Sequence, residues 1–284
     1  MESLGVATRI VPVASYTAVS GPSGSARDGA KWKWLEAHRE QRLEIAERAV
    51  AEAQASSRSK DQFLAMLGHE LRNSLSAVRN AVACVRLDSS QSEQALDIAW
   101  RQTEQLDRLV GDLLDVTQIE QGCFRLNRQR VALMEIVEHA VEAMRFLVED
   151  RGHTLSVSAP LELVRVDGDP LRLEQVVVNL ISKAAKYTDR GGRIELLVER
   201  HGAEAVIRVR DSGIGISPDL LPRIFDFYVR GERTSKHMQS GLGIGLAVVR
   251  SLVALHDGRV EAHSEGLGKG TEFVVHLPTI LAAG

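Results

Sequence analysis

Cysteine, aromatic residues and proline are all scarce in this chain, at two cysteines, 4% aromatics and seven prolines in 284 residues. Cys84 and Cys123 have no CxxC partner and no histidine at metal-ligand spacing, which excludes a cysteine-based metal site. Both read as small core residues of a reducing compartment. No run of 18 apolar residues occurs, and residues 1–30 lack the charged start and apolar block of a signal peptide, so the chain reads as soluble and cytoplasmic with no membrane contact. Excess charge of one sign is lacking too. A formal net charge of -3 sets up no field that would draw the chain to nucleic acid or to an anionic lipid surface. What is present is ample apolar material, 44% of residues against 26% charged, enough for about two globular domains.

Residues 1–30, rich in Gly, Ser, Ala and Val, keep no helical or strand period and read as a disordered or residual N-terminal segment. Residues 31–57 alternate acids and bases around a weak seam of Leu35, Ile45, Ala49 and Ala53, as a linker or signalling helix would. No proline stands between Pro22 and Pro160, and the pattern inside that gap is helical. Leu64, Leu67, Leu71, Leu75, Val78, Val82 and Val85 recur at three- and four-residue steps. So do Leu96, Ala99, Thr103, Leu106, Val110, Leu113 and Thr117. Asp88-Ser-Ser-Gln-Ser92 reads as the turn of a helical hairpin between the two series. The two seams hold more apolar surface than one hairpin can cover, so a homodimeric four-helix bundle is expected. After Gly122 the pattern becomes mixed. Strands are expected at Phe124–Val131, His153–Ser158, Arg193–Val198, Ala205–Arg210, Arg259–Ser264 and Thr271–Leu277, and helices at Leu133–Asp150, Asp169–Tyr187 and Gly243–His256. Asp169 is placed as an N-cap before Pro170, and Gly258 as a C-cap. Grouped rather than strictly alternating elements favour a layered α+β sandwich over a Rossmann sheet.

His69, in the run His69-Glu-Leu-Arg-Asn73, falls off the apolar seam. An exposed imidazole can attack a phosphoryl group through an unprotonated ring nitrogen, with Glu70 accepting the ring proton or orienting the tautomer. The bland alternative is a solvated surface histidine, the reading given to His139, His153 and His201. Farther on, Asp211-Ser-Gly-Ile-Gly215 follows a strand, where a carboxylate can accept from an exocyclic amine. Gly241-Leu-Gly-Ile-Gly-Leu246 opens into a helix, whose free N–H groups and dipole favour an anion. Between them lie Phe225, Phe227 and Tyr228, then Arg230, Arg233, Lys236 and His237. Aromatics can pin such a loop while the bases reach phosphates. Either glycine segment alone is weak, but together they suggest a nucleotide site under a lid.

These segments, with the helix Leu171–Tyr187 and Gly268-Lys-Gly-Thr271, occur in the order of the boxes of a sensor histidine kinase, and the chain resembles that family from about residue 58 to residue 279. The resemblance implies a dimerisation and phosphoacceptor hairpin over residues 58–122. Residues 123–284 would then form an ATP-binding domain of the Bergerat type, a two-layer α+β sandwich like that of gyrase-type ATPases. It implies that His69 takes the γ-phosphoryl group of ATP with Glu70 as base. Asn73 would orient a water when the partner is dephosphorylated, and a separate response regulator would receive the phosphoryl group on aspartate. Asp211 would read adenine beside Tyr187 and Thr271, Lys186 and Arg233 would meet phosphate, and Gly213, Gly215, Gly241, Gly243 and Gly245 would allow close backbone approach. Asn179 corresponds to the first of two asparagines that hold Mg²⁺.

The chain departs from the family twice. The second metal-binding asparagine is replaced by Lys183, and a charged ammonium has no lone pair to give a metal. It also repels one: unit charges 4 Å apart interact by roughly 4 kcal/mol at an effective dielectric of about 20, twice that for a divalent ion. Weak autophosphorylation is expected, and a kinase-impaired dimeric scaffold acting as phosphatase or nucleotide sensor is the alternative. Ser74 stands where the family usually has proline, so the helix should run straighter past His69.

Overall fold

The computed structural model describes residues 26–87, 92–159, 163–229 and 243–280. Helices α1 (Ala26–Leu87) and α2 (Ser92–Glu120) precede β1 (Gln129–Ala132), α3 (Leu133–Asp150), β2 (Thr154–Ser158), β3 (Arg165–Gly168) and α4 (Pro170–Tyr187). Then follow β4 (Arg193–His201), β5 (Glu204–Asp211), α5 (Gly245–Leu255), β6 (Arg259–His263) and β7 (Thr271–Pro278). Met1–Ser56 and Ser57–Gly284 form separate compact units.

α1 continues through Gly68 and Ser74 without a break, as the missing proline leads one to expect. Lys60 Nζ lies 3.6 Å from Glu120 Oε2, tying the start of the hairpin to its end. Of the first seam Leu67 is buried, while Leu64, Leu75 and Val82 face outward; of the second, Leu96 and Val110 face outward with their neighbour Trp100. The hairpin's turn at Asp88–Ser92 falls mostly outside the described residues. Ala26–Ala30 open α1, and the rest of the N-terminal segment, read as disordered or residual, lies outside the described residues. Among the described residues no helix is long and apolar enough to cross a membrane.

The second half is the expected two-layer α+β sandwich. A five-stranded sheet runs β2-β4-β5-β7-β6, parallel between β2 and β4 and antiparallel elsewhere, with α3, α4 and α5 packed on one face. Alternation selects that face. Ile194, Leu196 and Val198 of β4 and Phe273, Val275 and Leu277 of β7 point into the core. The other face carries charge: Arg208 of β5 reaches Glu199 (3.1 Å) on one neighbouring strand and Glu272 (3.4 Å) on the other.

Several expectations need correction. The strand β3 was not foreseen, and the expected strand Phe124–Val131 shrinks to β1, which pairs with it antiparallel. Four-residue strands paired far apart in sequence show too short a period to read. Phe124 is instead buried in an irregular segment, beneath the Arg172 guanidinium (4.8 Å to the ring centroid). Cys84, on α1, and Cys123, in the segment that follows α2, are exposed rather than core residues. His153 is buried rather than solvated, with Nε2 3.0 Å from the carbonyl of Ala185. After α5 it is Asp257, not Gly258, that takes the left-handed conformation (φ 59°). The N–H of Asp257 then reaches the carbonyl of Ala254 (3.0 Å) and that of Gly258 the carbonyl of Val253 (2.9 Å), a Schellman closure.

Asp169 begins α4 as expected. Its Oδ1 accepts from the N–H groups of Leu171 (3.1 Å) and Arg172 (3.3 Å), and its Oδ2 from that of Asn127 (2.9 Å). Its own N–H donates to His256 Nε2 (3.0 Å), whose Nδ1 in turn donates to the carbonyl of Leu252 (2.7 Å). His256 is therefore neutral in the fold, and burial pushes its pKa down. Asp169→Ala should lower stability by about 2 kcal/mol, a lost cap plus an orphaned N–H, in equilibrium urea unfolding of the whole chain; a loss under 0.5 kcal/mol would contradict this account.

Candidate functional site

The site grows from three backbone turns at one end of the sheet. Asp211 closes β5, paired with Ile194 of β4 and Thr271 of β7. Its carboxyl turns back to accept from the N–H of Gly213 (2.8 Å) and from the backbone of Thr271. Burial raises its pKa to about 6 and outweighs these two donors, which lower it. A protein that keeps a near-buried carboxyl without a cation has a group ready to accept a hydrogen bond from something else.

Gly213 passes so near the end of α4 that an added Cβ would lie 2.4 Å from the carbonyl oxygen of Tyr187. That oxygen accepts from the N–H of Ile214 (3.0 Å). Gly215 has φ 69°, and its Cβ would lie 2.1 Å from the carbonyl oxygen of Gly266. The N–H groups of Gly268 and Gly270 close the set on the carbonyls of Ile214 (2.7 Å) and Gly213 (3.0 Å). Both glycines thus serve contacts of the chain with itself, an explanation the motif alone does not offer. Lys186 and Tyr187 end α4 beside this knot, with the Lys186 ammonium 5.6 Å from the Tyr187 ring centroid, and Thr271 is buried at the start of β7.

One and two turns back on α4, Lys183 and Asn179 face the first residue of α5. A Cβ on Gly245 would meet Asn179 Oδ1 at 3.1 Å and Lys183 Cε at 3.6 Å. Gly243, at φ 72°, accepts the N–H of Tyr228 on its carbonyl (3.1 Å). One amide oxygen beside one ammonium is not a donor set for Mg²⁺, and among the described residues no cluster of three or more His, Cys, Asp or Glu could hold a metal. Arg233 and Gly241 lie outside the described residues.

His69, Glu70 and Asn73 stand apart from these groups, on α1. His69 and Asn73 are exposed one turn from each other and Glu70 is half-buried. A set of contacts not foreseen joins the hairpin to the domain. Asp115 of α2, 5% exposed, takes Arg172 (2.9 Å) and Gln175 (2.7 Å) on one carboxylate oxygen. Phe63 of α1 packs on the Tyr228 ring (4.5 Å between centroids), and Tyr228 holds a left-handed φ of 68°. Its hydroxyl reaches Glu120 (3.4 Å). Asp115 is the one trace in sequence, an acid placed beside apolar Leu113, Leu114 and Val116.

Residues 59–122 match the His Kinase A phospho-acceptor domain, and residues 168–280 match the histidine kinase-, DNA gyrase B- and HSP90-like ATPase. The chain belongs to the sensor histidine kinases. It is 36% identical over 256 residues to histidine protein kinase DivJ of Caulobacter vibrioides, covering 87% of this chain and 42% of DivJ. To sensor protein KdpD of Clostridium acetobutylicum it is 31% identical over 227 residues, 78% of this chain and 25% of KdpD. The chain thus spans less than half of either relative. Full-length ShkA, solved in complex with AMPPNP, shares the architecture at 26% identity with a TM-score of 0.59 over 79% of this chain and 47% of ShkA. The matched regions are thus a phospho-acceptor domain followed by an ATPase domain of the gyrase type.

The two kinds of glycine separate by experiment. Gly213→Ala forces backbone apart and should cost this kinase about 1–3 kcal/mol. Gly68→Ala on α1, where a Cβ meets nothing within 4 Å, should gain about 1 kcal/mol. Urea midpoints moving in the same direction for both would refute the packing account.

Proposed function

We infer that the chain is an ATP-dependent protein-histidine kinase acting as a homodimer. The observation that carries this reading is one chain holding both an exposed His69 on a helical hairpin and, on a separate domain, a buried carboxyl beside a glycine-opened helix. Asp211 accepts from the adenine amine, Tyr187 and Thr271 border the ring, and Lys186 and Arg233 meet phosphate. Gly241, Gly243 and Gly245 bring the N–H groups of α5 to the triphosphate. An unprotonated ring nitrogen of His69 attacks the γ-phosphorus. The N–P bond forms as the bond to the β,γ-bridging oxygen breaks, ADP leaves, and Glu70 takes the proton from the other ring nitrogen. The phosphoryl group then passes to an aspartate of a separate response regulator, and Asn73 orients water for the reverse, hydrolytic task. The outward Leu64, Leu75, Val82, Leu96, Trp100 and Val110 supply the face on which a second hairpin closes the four-helix bundle.

Lys183 favours a second reading, an impaired kinase serving as phosphatase or nucleotide sensor, because transfer without a bridging ion loses much of its charge neutralisation. Incubation with γ-labelled ATP and Mg²⁺ decides. Wild type should take acid-labile, base-stable label slowly, His69→Gln none, and Lys183→Asn at least about fivefold faster, the equivalent of 1 kcal/mol of barrier. Equal labelling of His69→Gln would sink the kinase reading, and an unchanged rate in Lys183→Asn would sink the role given to Lys183.

Adenine recognition has its own pH signature. A raised native pKa means that Asp211 favours the fold below its ordinary value of 3.8 and loses that advantage as pH rises through about 6. The acceptor form needed for adenine appears over the same rise. AMPPNP affinity should therefore increase between pH 5.5 and 7.5 in wild type and stay flat and weak in Asp211→Asn, read by calorimetry; a parallel rise in the variant would assign the effect to another group.

A further inference from the structure

The C-terminal end of α4 is closed by side chains from elsewhere in the domain. A helix leaves its last carbonyls short of partners, and Thr188, which follows Tyr187, is extended (φ -96°, ψ 137°) rather than left-handed, so no Schellman turn covers them. The carbonyl of Ala184 accepts from the N–H of Thr188 (3.1 Å) and that of Tyr187 from the N–H of Ile214 (3.0 Å). The two carbonyls between them are taken by the segment that joins α3 to β2. His153 Nε2 donates to the carbonyl of Ala185 (3.0 Å), and Arg151 Nη1 donates to the same oxygen (3.3 Å) and to the carbonyl of Lys186 (3.5 Å). That segment is itself fastened on both sides. The N–H of His153 reaches the carbonyl of Val148 at the end of α3 (3.0 Å). The carbonyl of Arg151 accepts from the N–H of Gly191 (3.1 Å), and the N–H of Thr154 donates to the carbonyl of Gly192 (3.0 Å), just before β4.

His153 is 8% exposed, and its other ring nitrogen, Nδ1, meets no partner among the described residues. An orphaned buried nitrogen is costly, and a leucine would fill the same space without one. What the histidine adds is therefore its donor to Ala185. The turn so held carries Lys186 and Tyr187. Its far side is crowded against Gly213, where a Cβ would lie 2.4 Å from the Tyr187 carbonyl oxygen, and Asp211 stands two residues before Gly213. The place of Tyr187 relative to the Asp211 carboxyl is thus set from two directions, by Ile214 on the side of the site and by Arg151 and His153 from behind it. Resting on the kinase reading above, we propose that Arg151 and His153 are positioning residues for the choice of nucleobase. They hold the last turn of α4 at the spacing from Asp211 that admits adenine and rejects guanine, without touching the nucleotide. Guanine presents a carbonyl oxygen where adenine has its amine, so a carboxylate fixed at that spot disfavours it. Once the turn can drift, the purine can slide until the N–H groups of guanine meet Asp211, and discrimination falls.

The test compares AMPPNP with GMPPNP on the whole chain by calorimetry. Wild type should bind AMPPNP at least about tenfold tighter. His153→Leu and Arg151→Met each remove donors behind the turn and should narrow that ratio about three- to tenfold, by weakening AMPPNP more than GMPPNP. His153→Gln, whose amide nitrogen can stand near the place of Nε2, should keep the ratio within about twofold of wild type. A loss of folding alone lowers both affinities together and leaves their ratio unchanged. Arg151 is only half-buried, so Arg151→Met decides the matter should His153→Leu fail to fold. Equal weakening of both nucleotides, an unchanged ratio in Arg151→Met, or a ratio in His153→Gln as low as that in His153→Leu would each overturn the proposal and leave the kinase reading standing. A wild type that binds neither nucleotide, or both alike, would overturn the adenine reading and the proposal together.

Discussion

The rotation of α4 about its own axis is the constraint on which the site depends. Leu173, Val176, Val177, Leu180, Ile181, Ala184 and Ala185 are all 1% exposed or less and share one face of the helix. Burying side chains of this kind is favourable by about 1.5–3 kcal/mol for each large one, so turning the helix would forfeit more than any polar contact returns. With that face fixed on the sheet, Arg172, Asn179 and Lys183 have to point away from it, and the last turn has to bring Tyr187 against Gly213. Both ends of the proposed nucleotide site are thus set by one apolar stripe.

A second consequence concerns charge. The chain keeps two carboxyls, Asp211 after β5 and Asp112 on α2, in places where burial lifts them to about 6. Among the described residues Asp211 is met by backbone donors, whereas the charges of Lys183 and Arg108 act to lower Asp112. The first arrangement suits a neutral donor from outside.

What was legible in the sequence was local. The capping of α4 by Asp169, the glycine segments after β5 and before α5, and the helical hairpin all declare themselves within a few residues, because turn and cap chemistry depends on near neighbours. The two-layer architecture followed from how those elements are grouped. The pairing of β1 with β3, the burial of His153 and the row of contacts between α2 and α4 did not, since each joins groups tens of residues apart whose own surroundings look ordinary. Gly213 and Gly215 are instructive in another way: the motif identified them, but the reason visible in the fold is the approach of Tyr187 and Gly266. Lys183 was noticed as a departure from a pattern, and its place against Gly245 gives the departure a physical setting.

The polar side of the sheet bears on how this module can be joined to others. Arg208 is shared between glutamates from both flanking strands, and its charge is balanced in water. A third layer laid over that side would have to strip hydration from the whole cluster for little return. Around Arg208 that side therefore favours water over a third layer.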